Sequence, residues 1–196
     1  MDEKQILQHV QSIIAETLRI SPEEVKPGMA LGHELGAESL DFVDIIFRIQ
    51  SEFKIHFYEG GLIEKLSEVF GPEVLSDGDR LTDLGAEVLR RRMPEVDPSK
   101  INPGMSATSI ESLYTPATFV RLSKELIEAG PRACSSCGST NLKATAPSLL
   151  LCQDCSAEVL TPTQEELIEA WAKRTSKSLI GSHSSLVGSS VQSEGQ

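Results

Sequence analysis

The nineteen residues from Leu35 to Phe53, LGAESLDFVDIIFRIQSEF, restrict the fold more than any other stretch of the chain. Gly36 permits a sharp backbone turn, and Ser39 then opens a run of helical period. At 100° per residue, Phe42, Ile45, Ile46, Ile49 and Phe53 share one face. Leu40, Val43 and Phe47 form a second, narrower stripe, and Asp41, Asp44, Arg48, Ser51 and Glu52 fill the polar arc. A helix that only had to pack would need the broad stripe alone. The second stripe therefore reads either as a helix buried on two sides or as a docking surface beside Ser39. Ser39 itself reads as an N-cap or as a hydroxyl open to modification. A phosphodiester there would sit where free N–H groups and the helix dipole favour an anion.

The same run resembles the attachment region of acyl carrier proteins: a Leu-Gly pair, an acidic residue, the modified serine, a leucine, and an acidic-apolar helix ending in Glu-Phe. The resemblance implies that Ser39 carries 4'-phosphopantetheine, whose terminal thiol holds an acyl group as a thioester. It also implies that Glu38, Leu40, Asp41, Val43, Asp44 and Phe47 are read by partner enzymes. The implied partners are a phosphopantetheinyl transferase and acyl-activating, acyl-transferring or condensing enzymes with basic docking surfaces. Glu38 stands where the family usually has Asp, and Gln50 and Ser51 replace an acidic pair common late in this helix.

A formal net charge of −11 over 196 residues suits basic partner surfaces and argues against nucleic acid and anionic membranes. No run approaches the length of a membrane span, and the polar start MDEKQILQHV is not a signal peptide, so a cytoplasmic location without membrane insertion is expected. The apolar content, 39%, suffices for a packed core.

Around the central run the pattern is mainly helical. Ile6, Leu7, Val10, Ile13, Ile14 and Leu18 mark an amphipathic first helix, and the Pro- and Gly-bearing stretch from Ile20 to Leu35 reads as a long loop. Ile55 and Phe57 alternate in an extended connection that Gly60-Gly61 ends. Leu62–Phe70 and Leu81–Met93 read as further helices, the latter capped by Thr82 and ending in the solvated arginines Arg90, Arg91 and Arg92. Thr115-Pro116 starts a helix similar to the one that closes the carrier fold. The stretch 62–113 is then an insertion that enlarges the bundle, and it is expected to widen or cover a cavity for the acyl chain. Glu111-Ser112-Leu113 echoes Glu38-Ser39-Leu40, but Ser112 lacks the preceding Leu-Gly pair and reads as a chance repeat.

Cys134-x-x-Cys137 and Cys152-x-x-Cys155 are separated by fourteen residues. Each pair sets two thiolates on a tight turn, and four soft ligands suit a tetrahedral structural Zn2+. Rubredoxin-like iron sites share that donor set, whereas a redox dithiol would need one pair near a βαβ pattern. Leu142 and Leu149–Leu151 suit a β-hairpin between the knuckles, a pattern that resembles a zinc ribbon. So few residues should not fold without the metal.

Thr163 and Glu166 form a capping box for a short helix, and the Ser- and Gly-rich remainder reads as a disordered tail. The expected organisation is a carrier-like domain over 1–130, a zinc-ribbon-like unit over 131–160, a helix over 161–175 and a tail over 176–196. No metalloprotease motif, phosphate loop or nucleophile elbow is present, and His33 has no third group to make it a base for Ser39, so no enzymatic activity is expected. The chain reads as a carrier for fatty-acid, lipid or polyketide synthesis. The alternative is a zinc-ribbon interaction or nucleic-acid-binding protein with a carrier-like domain that no longer carries.

Overall fold

Asp2 accepts the Gln5 N–H at 2.8 Å and starts helix α1, Glu3–Leu18. In the computed structural model, which describes residues 1–71 and 73–187, this helix buries Ile6, Val10, Ile13 and Ile14. The long loop follows, broken by one 3-10 turn at Pro22–Glu24, and leads into α2, Ser39–Phe53. Helix α2 packs Ile45, Ile49 and Phe53 against α1. Ile55 and Phe57 continue that core from their extended connection. Helix α5, Pro116–Ala129, completes it with Phe119, Val120, Leu122 and Leu126. Its start is fixed by Thr115, which accepts the Thr118 N–H at 3.2 Å, and by Pro116, which loses no hydrogen bond at a first helical position.

The insertion does not line that bundle with extra apolar surface. It builds a second core from α3, Leu62–Phe70, a two-stranded ribbon β1–β2 (Ser76–Asp77, Arg80–Leu81), and α4, Asp83–Arg92. The chain from Met93 to Leu113 packs back with Met93, Ile101 and Ile110. Helix α6, Gln164–Val187, closes this core with Ile168, Ala172 and Leu179. The Thr163 N–H donates to Glu166 at 2.8 Å and the Glu166 N–H to Thr163 at 3.2 Å, so the expected capping box is formed.

Two expectations are corrected here. Residues 176–187, assigned to a disordered tail, continue α6, because Leu179 extends the apolar face of Ile168 and Ala172 onto the second core. The rest of that tail, 188–196, lies outside the described residues. Arg92 is also not a solvated helix end. Its side chain is 5% exposed, makes two bonds of 2.8 and 3.0 Å to Glu125 of α5, and lies 5.7 Å from the Trp171 ring centre. Arg121 of α5 extends this network to Glu95 at 2.9 Å and to Glu125 at 2.8 Å.

These ion pairs join the two cores. Beside them is a cleft of about 350 Å³, including its solvent-open part, where Arg92, Arg121, Tyr58 and Gln164 share the walls with Leu62 and Ile168. Met93, Tyr114 and Leu122 complete its lining, so guanidinium groups bound to carboxylates and apolar side chains share one cleft.

Between α5 and α6 the chain makes a three-stranded antiparallel sheet, β3 Leu142–Ala146, β4 Leu149–Cys152 and β5 Glu158–Leu160, in the order β3-β4-β5. The anticipated hairpin is present, with Leu142 opposite Cys152, and the third strand pairs Val159 with Leu150. About half of the chain is helical, so the protein is mainly α, a helical bundle with a small ribbon and a further C-terminal helix. Among the described residues no helix is long and apolar enough to cross a membrane.

Candidate functional site

The turn before α2 is built in steps. Gly36 takes a φ of +72°, open to glycine at little cost, and the Ala37 N–H returns to the Leu31 carbonyl at 2.9 Å. Glu38 is extended and serves as the N-cap residue, its own N–H donating to the Asp41 carboxylate at 2.8 Å. The Phe42 N–H gives 3.1 Å to the Glu38 carbonyl, so the N–H groups ahead of it lie at the open end of the helix. Ser39 is therefore the first helical residue and not the cap. It is exposed, and among the described residues its hydroxyl has no hydrogen-bond partner. A phosphodiester on that oxygen would meet the positive end of the helix dipole, and the residues present fit such a group.

The two stripes of α2 separate cleanly. Ile45 and Ile49 are fully buried, while Leu40 is 83% exposed and Val43 and Phe47 are 64% exposed. The helix is thus buried on one side only, and the second stripe faces solvent next to Ser39. Glu38 is exposed beside it. Asp41 and Asp44 have structural partners as well: Asp41 holds the turn, and Asp44 accepts the Thr17 hydroxyl of α1 at 2.8 Å.

Sequence reasoning missed the residues that hold this loop from outside. The Leu31 N–H donates to the Tyr114 carbonyl at 2.8 Å, Lys100 reaches Glu34 at 2.9 Å, and His33 Nε2 lies 3.1 Å from the Ser112 hydroxyl. The Ala30 N–H, and after it Lys100, hold the Glu34 carboxyl below the ordinary carboxylate range. His33 therefore engages Ser112. That serine also donates to the Ser109 carbonyl at 2.6 Å from within a 3-10 segment, Ala107–Leu113, away from any α-helix start. In the sequence Ser112 stands out only through its chance echo of Ser39, which carries no hint of this bracing contact.

The four cysteines converge. All four sulfur atoms lie within 4.8 Å of one another, with Cys134 to Cys155 at 3.7 Å and Cys137 to Cys152 at 3.6 Å. Four thiolates bound at about 2.3 Å in a tetrahedron would stand about 3.8 Å apart, so the donor set fits one Zn2+. The two knuckles turn alike. The Gly138 N–H returns to Cys134 O at 2.8 Å and the Ser156 N–H to Cys152 O at 2.9 Å, both residues having positive φ. The N–H groups of Ser136 and Cys137 lower the Cys134 thiol to about 6. At Cys155 the Ala157 N–H also lowers the pKa, but Cys137, burial and the other two cysteines outweigh it and push the thiol up to about 12. Four sulfurs this close do not all ionise without a cation between them. Asp154 orders the outer side, accepting Ser139 Oγ at 2.5 Å and Asn141 Nδ2 at 3.0 Å.

Residues 8–59 match the family model described as phosphopantetheine attachment site. The chain is 40% identical over 55 residues to an acyl carrier protein of Cyanidioschyzon merolae, covering 28% of this chain and 60% of that one. It is 36% identical over 55 residues to an acyl carrier protein of Thermosynechococcus vestitus, covering 28% and 68%. A third relative, an acyl carrier protein of Cyanidium caldarium, is 44% identical over 52 residues, covering 26% and 60%. The chain thus spans 60 to 68% of the length of these relatives, and no solved structure matches it. The matched stretch holds most of α1, the loop and α2 with Ser39 at the start of that helix, and the four cysteines lie outside it as a zinc-ribbon-like extension. On the strength of that match and of the turn that presents Ser39, this chain belongs to the acyl carrier protein family.

Proposed function

We propose that Ser39 is the attachment point of 4'-phosphopantetheine and that the protein holds an acyl group as a thioester, passing it between enzymes of fatty-acid, lipid or polyketide synthesis. The observation that carries this reading is the exposed Ser39 hydroxyl at the open end of α2, relieved of capping by Glu38 and Asp41. When bound, the cofactor supplies a flexible arm and a thiol able to form a thioester. The protein presents the hydroxyl, forms the turn at Gly36 and ties it through Asp41, and offers Leu40, Val43 and Phe47 as an apolar anchor among carboxylates. A transferase and acyl-handling enzymes with basic surfaces would be drawn by charge and held by that anchor. Nothing in this scheme asks the chain to catalyse a step itself; Ser39 supplies only the oxygen that the transferase esterifies.

Incubation with coenzyme A and a phosphopantetheinyl transferase should raise the intact mass by one phosphopantetheine, and Ser39→Ala should abolish the gain. An unmodified wild-type protein, or a gain that survives the substitution, would overturn the assignment.

The second site is read as a structural metal centre. Cys134, Cys137, Cys152 and Cys155 would hold one Zn2+ with no ligand position left open, consistent with their mutual distances. We place the protein in the cytoplasm, where thiols stay reduced.

A further inference from the structure

We propose that the metal centre is the latch that keeps α6 docked on the second core, so that metal loading and α6 docking are coupled. The inference rests on the metal reading of the four cysteines and adds a consequence that the site alone does not contain.

Helix α6 is tied to the rest of the protein through the ribbon. The connection runs from Ala129 to Gln164, 34 residues, and it leaves and returns at one place, where Gly130 meets Thr161. The ribbon has almost no core of its own. Its buried residues are Cys134, Cys152 and Val159, and two of these are metal ligands. Such a unit has too little apolar area to stay folded once the four sulfurs are released.

What the ribbon delivers is a helix whose docking is specific. The Tyr58 N–H donates to Gln164 Oε1 at 2.5 Å, and Lys65 of α3, with a side chain 6% exposed, bonds Glu165 at 2.7 Å. Ile168, Ala172 and Leu179 are buried among the residues of α3 and α4. Trp171 lies against Arg92, so α6 also touches the ion-pair network that joins the two cores. The ribbon makes a separate contact with the first core, where the Ser148 N–H reaches the Lys54 carbonyl at 3.3 Å.

With the metal in place, the pieces that lie outside the loop closed by the four cysteines amount to roughly 12 residues, even with the pairing of β5 set aside. Without it, all 34 residues between α5 and α6 become one flexible connection. Loop-closure weight falls as the three-halves power of length, so the docked arrangement loses about fivefold in statistical weight, before the ribbon's own contacts are counted. By linkage, undocking α6 must weaken metal binding by the same factor.

The test is hydrogen exchange on the full-length protein, loaded with Zn2+ or stripped by a chelator under a phosphine reductant that prevents disulfides. Ribbon amides should lose protection, and amides of α6 and α3 should exchange at least about fivefold faster, while α1 and α2 stay unchanged. Loss of protection in the ribbon with α6 and α3 unmoved would overturn the coupling, and so would a uniform increase over the whole chain. A ribbon that is itself unaffected by chelation would instead overturn the metal reading, and the coupling with it. In reverse, the double variant Gln164→Ala, Glu165→Gln touches no cysteine. Once its α6 amides are seen to exchange faster, its affinity for Zn2+ should be lower, and an unchanged affinity would refute the latch.

Discussion

The two cores are closed by opposite means. The first is made of α1, α2 and α5, helices with continuous apolar faces whose caps and turns are local, and its polar contacts lie at the rim. Arg48, for example, pairs with Glu16 across the α1–α2 boundary while both remain solvated. The second core is drawn from α3, α4, the chain from Met93 to Leu113 and α6, pieces more than a hundred residues apart, and it meets the first through Arg92, Glu125, Arg121 and Glu95. Geometry explains that difference. The bundle has to hold a turn and one hydroxyl, whereas the insertion has to attach itself to the side of a finished bundle. Burying charge at that seam fixes one relative placement, because a slipped arrangement would leave guanidinium groups without partners.

Four measurements would sharpen or break this contrast. Ile49→Ala removes a fully buried side chain from the first core and should cost about 2–5 kcal/mol in chemical denaturation. A cost below about 1 kcal/mol would mean that the α2 face is not the centre of that core. Arg92→Met, at the seam, should cost about 2–3 kcal/mol, below the full range for a broken buried pair because Glu125 keeps 35% of its side-chain exposure. It should also loosen α4 and α6 more than α1 and α2, and an even loss everywhere would argue that the seam is not a boundary.

The third measurement uses pH. Burial raises the Glu125 carboxyl, but Arg92 and Arg121 outweigh it and hold the group below the ordinary carboxylate range. A lowered folded-state pKa gives stability that is fully present above the unfolded pKa and is lost as pH falls through the folded one. Unfolding midpoints should therefore drop toward acid pH, and less steeply in Arg92→Met, where part of the lowering is gone. Equal slopes would show that the network does not report on acid stability. The smallest effect concerns Phe47→Ala, which should change stability by less than about 0.5 kcal/mol because the ring is solvent-facing, while slowing phosphopantetheine transfer. A large loss of stability would return that stripe to the core.

Legibility followed the distance over which each feature is decided. The helical faces of Ile45 and Ile49, the Thr115-Pro116 start and the Thr163–Glu166 box are settled within one or two turns, and each stands in the structure where the pattern placed it. The four cysteines were legible for a related reason: two tight turns of one spacing need only meet, and a hairpin brings them together. The burial of Arg92 was not, because a cationic helix end looks the same in sequence whether water or Glu125 answers it. The length of α6 was hidden likewise. A Ser- and Gly-rich run has weak helical preference, and only the surface offered by α3 makes it worthwhile to order Leu179.

The sequence alone determined the turn at Gly36, the helix that begins at Ser39 and its two stripes, since backbone preference and side-chain period act within a few residues. It could not say which stripe would be left bare. That choice belonged to the tertiary structure, because α1 and α5 together supply apolar partners for only one side of α2, and the opposite side keeps Leu40, Val43 and Phe47 in water. The same holds for the bracing of the attachment loop by Lys100, Ser112 and Tyr114, contacts between residues 66 to 83 positions apart, where no local preference acts.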